Sequence, residues 1–244
     1  MMRMKLVFLL VCVLSLAALP ALAGSDDFFM KDGRVFRSDT GKEMPMHALH
    51  KANTEKGTYL WIAAIPEMVP EMQGTERGVY IFHTENEELA GFLPLQNAFL
   101  SQVVFSQSGE KLFAVCDTES DHELRYYEFE KAGLSKKVTF KTLGHAEWID
   151  WHRFVFTIND MTNGVRSEAD KISGWHSVVV YDSAVDLLEP VKEATEKEDY
   201  VFYGFDREQD EISILRRTVQ NKSDWGELRK VKQTMISASP PAAG

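Results

Sequence analysis

Four times along the chain a dense apolar strand pattern is followed, across a polar and often acidic connection, by a second strand with alternating apolar residues. The first members are YLWIAAI (59–65), KLFAVC (111–116), RFVFTI (153–158) and YVFYGF (200–205), and their partners are GVYIFH (78–83), ELRYYEF (123–129), HSVVVYD (176–182) and EISILRR (211–217). The first members begin 52, 42 and 47 residues apart. That period is close to the length of one four-stranded propeller blade. No segment of useful length has a helical period, so the chain is expected to be all-β.

The clearest copy, QVVFSQSGEKLFAVCDTESDHELRYYEF (102–129), reads as strand, turn, strand, loop, strand. Gly109 supplies the positive φ that the tight first turn requires. Residues 112–116 are almost all apolar, as a strand covered on both faces would be. Further strands are predicted at GFLPLQ (91–96), KVTFKTL (137–143), EPVKEA (189–194) and RKVKQT (229–234). The prediction is a small propeller of four blades. A fifth arises if DFFMKDGRVFRS (27–38) forms a partial blade or closes the ring on the last one. An open β-sandwich is the competing architecture.

At 105–109 the chain resembles the WD-like repeat of TolB-type β-propellers. Phe105, Ser106 and Gly109 match its phenylalanine-serine-proline-aspartate-glycine turn, while Gln107 replaces the proline and Ser108 the aspartate. The resemblance covers about one blade and is degenerate elsewhere. It implies a propeller and brings no catalytic or ligand residue, because the motif residues of that family are structural.

Arg3 and Lys5 precede an apolar run that ends at Ala21-Leu22-Ala23. This reads as a signal peptide over 1–23, which predicts a periplasmic or secreted protein whose mature chain does not insert into a membrane. A single domain is expected over 24–236, with a disordered tail at 237–244. Of the two cysteines, Cys12 lies in the leader, so Cys116 has no partner for an internal disulfide. Stability must come from packing, and Cys116 is expected to be a buried, reduced apolar group.

The formal charge is −10, and loss of Arg3 and Lys5 makes the remainder two units more negative. Such a surface disfavours nucleic acid and favours a protein partner with a basic surface. The connections between paired members concentrate acids: Glu67, Glu71 and Glu76; Asp117, Glu119 and Asp121; Asp160, Glu168 and Asp170; Asp206, Glu208 and Asp210. If all emerge at one end of a propeller they form an acidic rim. The link 159–175 is much longer than its counterparts 117–122 and 206–210, and Trp175 at its end is the candidate anchor. Trp148 and Trp151 are expected in the core.

Catalytic and cofactor signatures do not accumulate. The carboxylates of 117–121 have calcium-loop spacing but lack the glycine and the distal glutamate. His47 and His50 have no third ligand nearby. Ser108-Gly109-Glu110-Lys111 fits serine-x-x-lysine formally, but on a turn rather than a helix. No cofactor, metal or catalytic residue is assigned. The sequence thus points to an exported, non-catalytic binding protein, in its sharper form an inhibitor or immunity protein for a basic envelope-directed enzyme. A propeller-fold carbohydrate-active enzyme is the alternative, and it demands paired carboxylates in a concave centre with aromatic walls.

Overall fold

The computed structural model describes residues 27–119, 121–131, 133–160, 175–195, 198–218 and 227–232. The leader 1–23 and the tail 237–244 fall outside these. The described chain is all-β, without an α-helix. It opens with a hairpin of β1 (Phe28–Lys31) and β2 (Arg34–Arg37). Blade 1 is a meander of β3 (Leu49–Thr54), β4 (Gly57–Ala64), β5 (Gly78–His83) and β6 (Glu88–Pro94). Blade 2 contains β7 (Ala98–Phe105), β8 (Lys111–Thr118), β9 (His122–Glu130) and the first half of β10 (Gly133–Trp148). The second half of β10 opens blade 3, followed by β11 (Arg153–Asp160), β12 (Trp175–Asp182) and β13 (Leu187–Lys192). Among the described residues blade 4 holds β14 (Glu198–Asp206), β15 (Glu211–Thr218) and β16 (Glu227–Lys232).

Period-2 alternation of large apolar residues builds this stack, because successive side chains leave opposite faces of a strand. In β8, Leu112, Ala114 and Cys116 pack on Tyr59, Val79 and Ile81 of blade 1. Phe113 and Val115, between them, pack on Trp148, Phe154 and Phe156 of blade 3. The same division recurs at both neighbours. Ile62, Tyr80 and Phe82 cover Phe28, Met30 and Val35 of the hairpin, and Val155, Val178 and Val180 cover Tyr200, Phe202, Ile212 and Ile214 of blade 4. Each such burial contributes about 1.5–3 kcal/mol. More than two sheets follow one another face to face, so the architecture is a propeller-type stack and not a two-sheet sandwich. The sheets do not close into a ring among the described residues.

Two departures from the sequence reading have physical causes. Blades 2 and 3 share β10 without a loop: its pairing moves from β9 to β11 within one strand, near Gly144 at φ 75°. The second concerns blade 4. Phe202 N donates to Thr157 Oγ1, and Arg207 Nη2 donates to the Trp148 carbonyl, so β14 runs parallel to the second half of β10. It is therefore the opening strand of its blade, whereas KLFAVC and RFVFTI are second strands. YVFYGF is thus one strand out of phase with the other first members, and the true second strand of blade 4 is EISILRR.

Gly109 has φ 77°, and a Cβ there would lie 2.3 Å from Thr54 Oγ1 across the contact of blades 1 and 2. Gly109→Ala should lower unfolding free energy by about 1–3 kcal/mol, read as a shifted denaturation midpoint. Cys116 is fully buried against blade 1, and burial pushes its thiol up to about 11. Native protein should therefore react with a thiol reagent only at its unfolding rate, and Cys116→Ala should fold with a loss of about 1 kcal/mol.

Candidate functional site

The opening strands of the blades converge on a cleft of about 500 Å³ lined by Asn53, Gln102, Phe105, Gln107, Glu147, Trp148, Asp150 and Arg207, among others. Three of its polar side chains, Gln102, Gln107 and Arg207, are occupied in joining blades. Gln102 on β7 acts as a strand surrogate: its Nε2 donates to the Ala146 carbonyl at 3.1 Å, and its Oε1 accepts from Ala146 N at 3.2 Å. Two residues on, Trp148 Nε1 donates to the Val104 carbonyl at 3.1 Å. Arg207 donates to the carbonyls of Trp148 and Ile149 at 2.7 and 3.3 Å, tying blade 4 to blade 3. Gln107 donates to Glu55 at 3.0 Å, tying blade 2 to blade 1.

Two carboxylates reach this cleft, and their environments differ. Asp150 Oδ1 accepts the backbone N–H groups of His152 and Arg153 at 3.0 and 2.8 Å, and Oδ2 accepts Arg153 Nε at 2.7 Å. Burial pushes this carboxyl up, but those hydrogen bonds and the Arg153 charge outweigh it and hold it below 3.8. A carboxylate so held orders the β10–β11 turn. It is poorly suited to donate a proton, which requires a raised value. Glu147, on β10, has Oε1 3.4 Å from His145 Nε2.

The paired-member connections divide between the two ends of the stack. At the turn end lie 55–56, 106–110, 149–152 and 207–210, joined through Gln107–Glu55 and Arg207–Ile149. The opposite end, where one blade leads to the next, holds 65–77, 95–97, 119–121 and 193–197. Arg77 Nη2 donating to the Ala98 carbonyl and His176 N donating to Asp199 Oδ1 mark it. The link end therefore contains Asp117, Glu119 and Asp121, and it is where β11 and β12 break off at Asp160 and Trp175. Asp206, Glu208 and Asp210 lie at the turn end, because β14 is an opening strand. The structure thus brings the Asp117 group and the strand end at Asp160 to one end and places the Asp206 group at the other. Glu168 and Asp170, and the side chains of Asp160 and Trp175, lie outside the described residues.

At the link end Asp117 accepts from Ser101 Oγ and contacts His122 Nδ1 at 2.6 Å. Burial raises its carboxyl, yet these two contacts hold it below the ordinary value. Because the carboxylate sits between the serine and the histidine, the imidazole is not placed to take the hydroxyl proton. Asp121 pairs with Lys141 at 2.7 Å, and Glu119 is exposed. Among the described residues no cluster of three or more His, Cys, Asp or Glu is arranged around a metal position, and no helix is long and apolar enough to cross a membrane.

The sequence reading missed Trp151. Trp148 is in the core as expected, but Trp151 is 59% exposed in the β10–β11 turn, packed on His152 with ring centroids 4.3 Å apart. The spacing W-x-x-W across a strand end held the signal, since the strand stops at Trp148.

No family model matches the chain, and no curated protein matches it. Among solved structures it is similar to the complex of KlAtg21 with the coiled-coil of AgAtg16, at 10% identity over 85% of this chain and 65% of that one, TM-score 0.42. It is also similar to the Dos1 propeller (11% identity, 82% and 63% covered, TM-score 0.36). TolB from Acinetobacter baumannii matches at 12% identity with 83% and 64% covered, TM-score 0.30. The chain thus spans less than two thirds of each of these three. Scores this low carry no argument about activity.

Exchanging Asp150 for Asn tests the role assigned to its carboxylate. A carboxyl held below its unfolded value stabilises the fold above about pH 4, and that contribution disappears as pH falls through the lower folded value. Wild-type stability should therefore drop across this acid range more steeply than that of Asp150→Asn, measured by denaturant midpoints at successive pH values.

Proposed function

We propose that this is an exported, non-catalytic binding protein that engages a protein partner with a basic surface through the link end of the blade stack. The carrying observation is the chemistry of that end. Glu67, Glu71, Glu76, Asp117, Glu119 and Asp121 occupy its loops, and the long 159–175 connection leaves from it. Loops on a rigid β scaffold are where recognition concentrates, and an acidic surface accelerates encounter with a basic partner. Export rests on the leader-like pattern of 1–23. The inhibitor or immunity reading rests on the same export, size and charge.

The alternative, carbohydrate-active reading draws its support from the cleft, where Glu147 and Asp150 lie beside Phe105 and Trp148. The hydrogen bonds that hold Asp150 ionised favour the binding reading, as does the commitment of Gln102 and Arg207 to backbone groups.

The two ends can be tested against each other. With a partner captured from the source organism's envelope or medium and then purified, Glu119→Lys should slow association about tenfold at low salt, with the difference shrinking as salt rises. Glu208→Lys, at the turn end, should leave the rate unchanged. Sensitivity only to Glu208→Lys would move the contact to the turn end, and a salt-independent rate in wild type would defeat the electrostatic basis of the reading.

A further inference from the structure

Among the described residues every interior blade is covered on both faces, whereas the two end units are covered on one. In the hairpin, Phe28, Met30 and Val35 face blade 1. Its other face presents the cross-strand pairs Phe29–Phe36 and Lys31–Arg34. Phe29 is 41% exposed and stacks on Phe36 with centroids 5.4 Å apart. In blade 4, Tyr200, Phe202, Ile212 and Ile214 face blade 3. The opposite face carries the pair Val201–Leu215 and, nearer the turn, the pair Asp206–Glu211. Tyr203, at a register shift of β14, is 58% exposed.

The two faces match in kind and in order along the strands. The hairpin turns at the turn end of the stack: Gly33 N donates to Glu87 Oε1 on the β5–β6 connection, and His83 just before it contacts the Lys56 carbonyl in the β3–β4 turn. Lys31 and Arg34 are therefore the residues of the hairpin face nearest that end. Asp206 and Glu211 flank the 207–210 turn at the same end of blade 4. Stacking a hairpin on blade 4 in the orientation shared by all the blades would set aromatic and aliphatic pairs against each other, and a basic pair against an acidic one. Arg34 pairs with Glu43 at 3.2 Å, and Lys232 is the backbone partner of Glu211 on the β16 side, so the complementary charge falls chiefly between Lys31 and the β14 edge at Asp206.

We propose that a second copy of this chain docks its β1–β2 hairpin on the free face of blade 4, so that copies associate head to tail by the same face-to-face packing that joins blades within one chain. Within a chain the hairpin is held on blade 1, leaving its Phe29–Phe36 face available to another molecule. The contact is heterologous, using different patches on the two copies, and so gives a closed ring or a growing chain of copies.

Sedimentation velocity on the purified protein tests this. Wild type should show a mean mass that rises with concentration, while Phe29→Glu and Tyr203→Glu should each remain monomeric. An equimolar mixture of the two variants should form a dimer and stop there, because each supplies the one intact patch the other lacks. Circular dichroism and melting of both variants check that these solvent-facing changes leave the fold in place. If either variant unfolds, charge reversal replaces it: Lys31→Glu should weaken association about tenfold, and Asp206→Lys in the same chain should restore it. A wild type that stays monomeric at every concentration overturns the proposal. So does an associating wild type whose paired variants fail to complement, since that outcome belongs to a contact of like patches.

Discussion

The structure depends on sheets that are apolar on both faces. A sheet with one wet face is complete when its other face is covered, but β8, with Leu112, Ala114 and Cys116 on one side and Phe113 and Val115 on the other, needs a neighbour on each. Face-to-face stacking follows, and with it the propeller-like succession of blades. Apolar burial is non-directional and does not by itself determine how far one blade slides along the next. That registration comes from directional bonds at the contacts: Gln102 and Trp148 between blades 2 and 3, Tyr59 Oη to the Gly109 carbonyl between blades 1 and 2, and His176 with Asp199 between blades 3 and 4. A side chain such as Gln102, satisfied at both its donor and its acceptor, leaves no buried backbone group unpaired where two opening strands meet without a ladder.

This division of labour separates the parts of the molecule that hold it together from those that are free to recognise something else. The turn end and the central cleft are laced by hydrogen bonds between blades. The link end has its own ties between blades, at His176–Asp199 and Arg77–Ala98, but it also carries longer connections whose carboxylates pair nearby, as Asp117 does with Ser101 and His122, or stand exposed, as Glu119 does. The same logic explains the end faces. Packing that repeats from blade to blade has no internal reason to stop, so among the described residues it leaves one uncovered surface at each end of the series.

Much of the fold is legible in the residues, because β-branched and aromatic side chains at period 2 specify strands regardless of context. Most strand segments, the Gly109 turn and the burial of Cys116 and Trp148 follow from such local signals, whereas β3, which carries only half-buried and exposed residues, does not. The position of a strand within its blade does not. YVFYGF and KLFAVC carry the same apolar density, so nothing local separates an opening strand from a second strand. Only the contacts of Phe202 with Thr157 and of Arg207 with Trp148 distinguish them. That one-strand difference sends Asp206, Glu208 and Asp210 to the end opposite Asp117, Glu119 and Asp121, and so divides what a linear reading assembles into one rim. Trp151 was equally ambiguous, since three residues after Trp148 the chain has already left the strand and turned outward.

The amino-acid sequence by itself determined the all-β class, the repeating pair of apolar strands, and the acidic character of the connections. These are properties of side-chain chemistry and of spacing within about ten residues. Tertiary structure alone decided that β10 serves two blades, that Gln102 and Arg207 lace the central cleft, that the acidic connections point to opposite ends, and that, among the described residues, the first hairpin and the last blade each keep one face uncovered. Apart from the local pairing of β10, those outcomes turn on contacts between residues far apart in the chain, such as Gln102 with Ala146 and Arg207 with Trp148. Non-directional burial leaves the choice of partner open, and only the assembled hydrogen bonds and ring contacts resolve it.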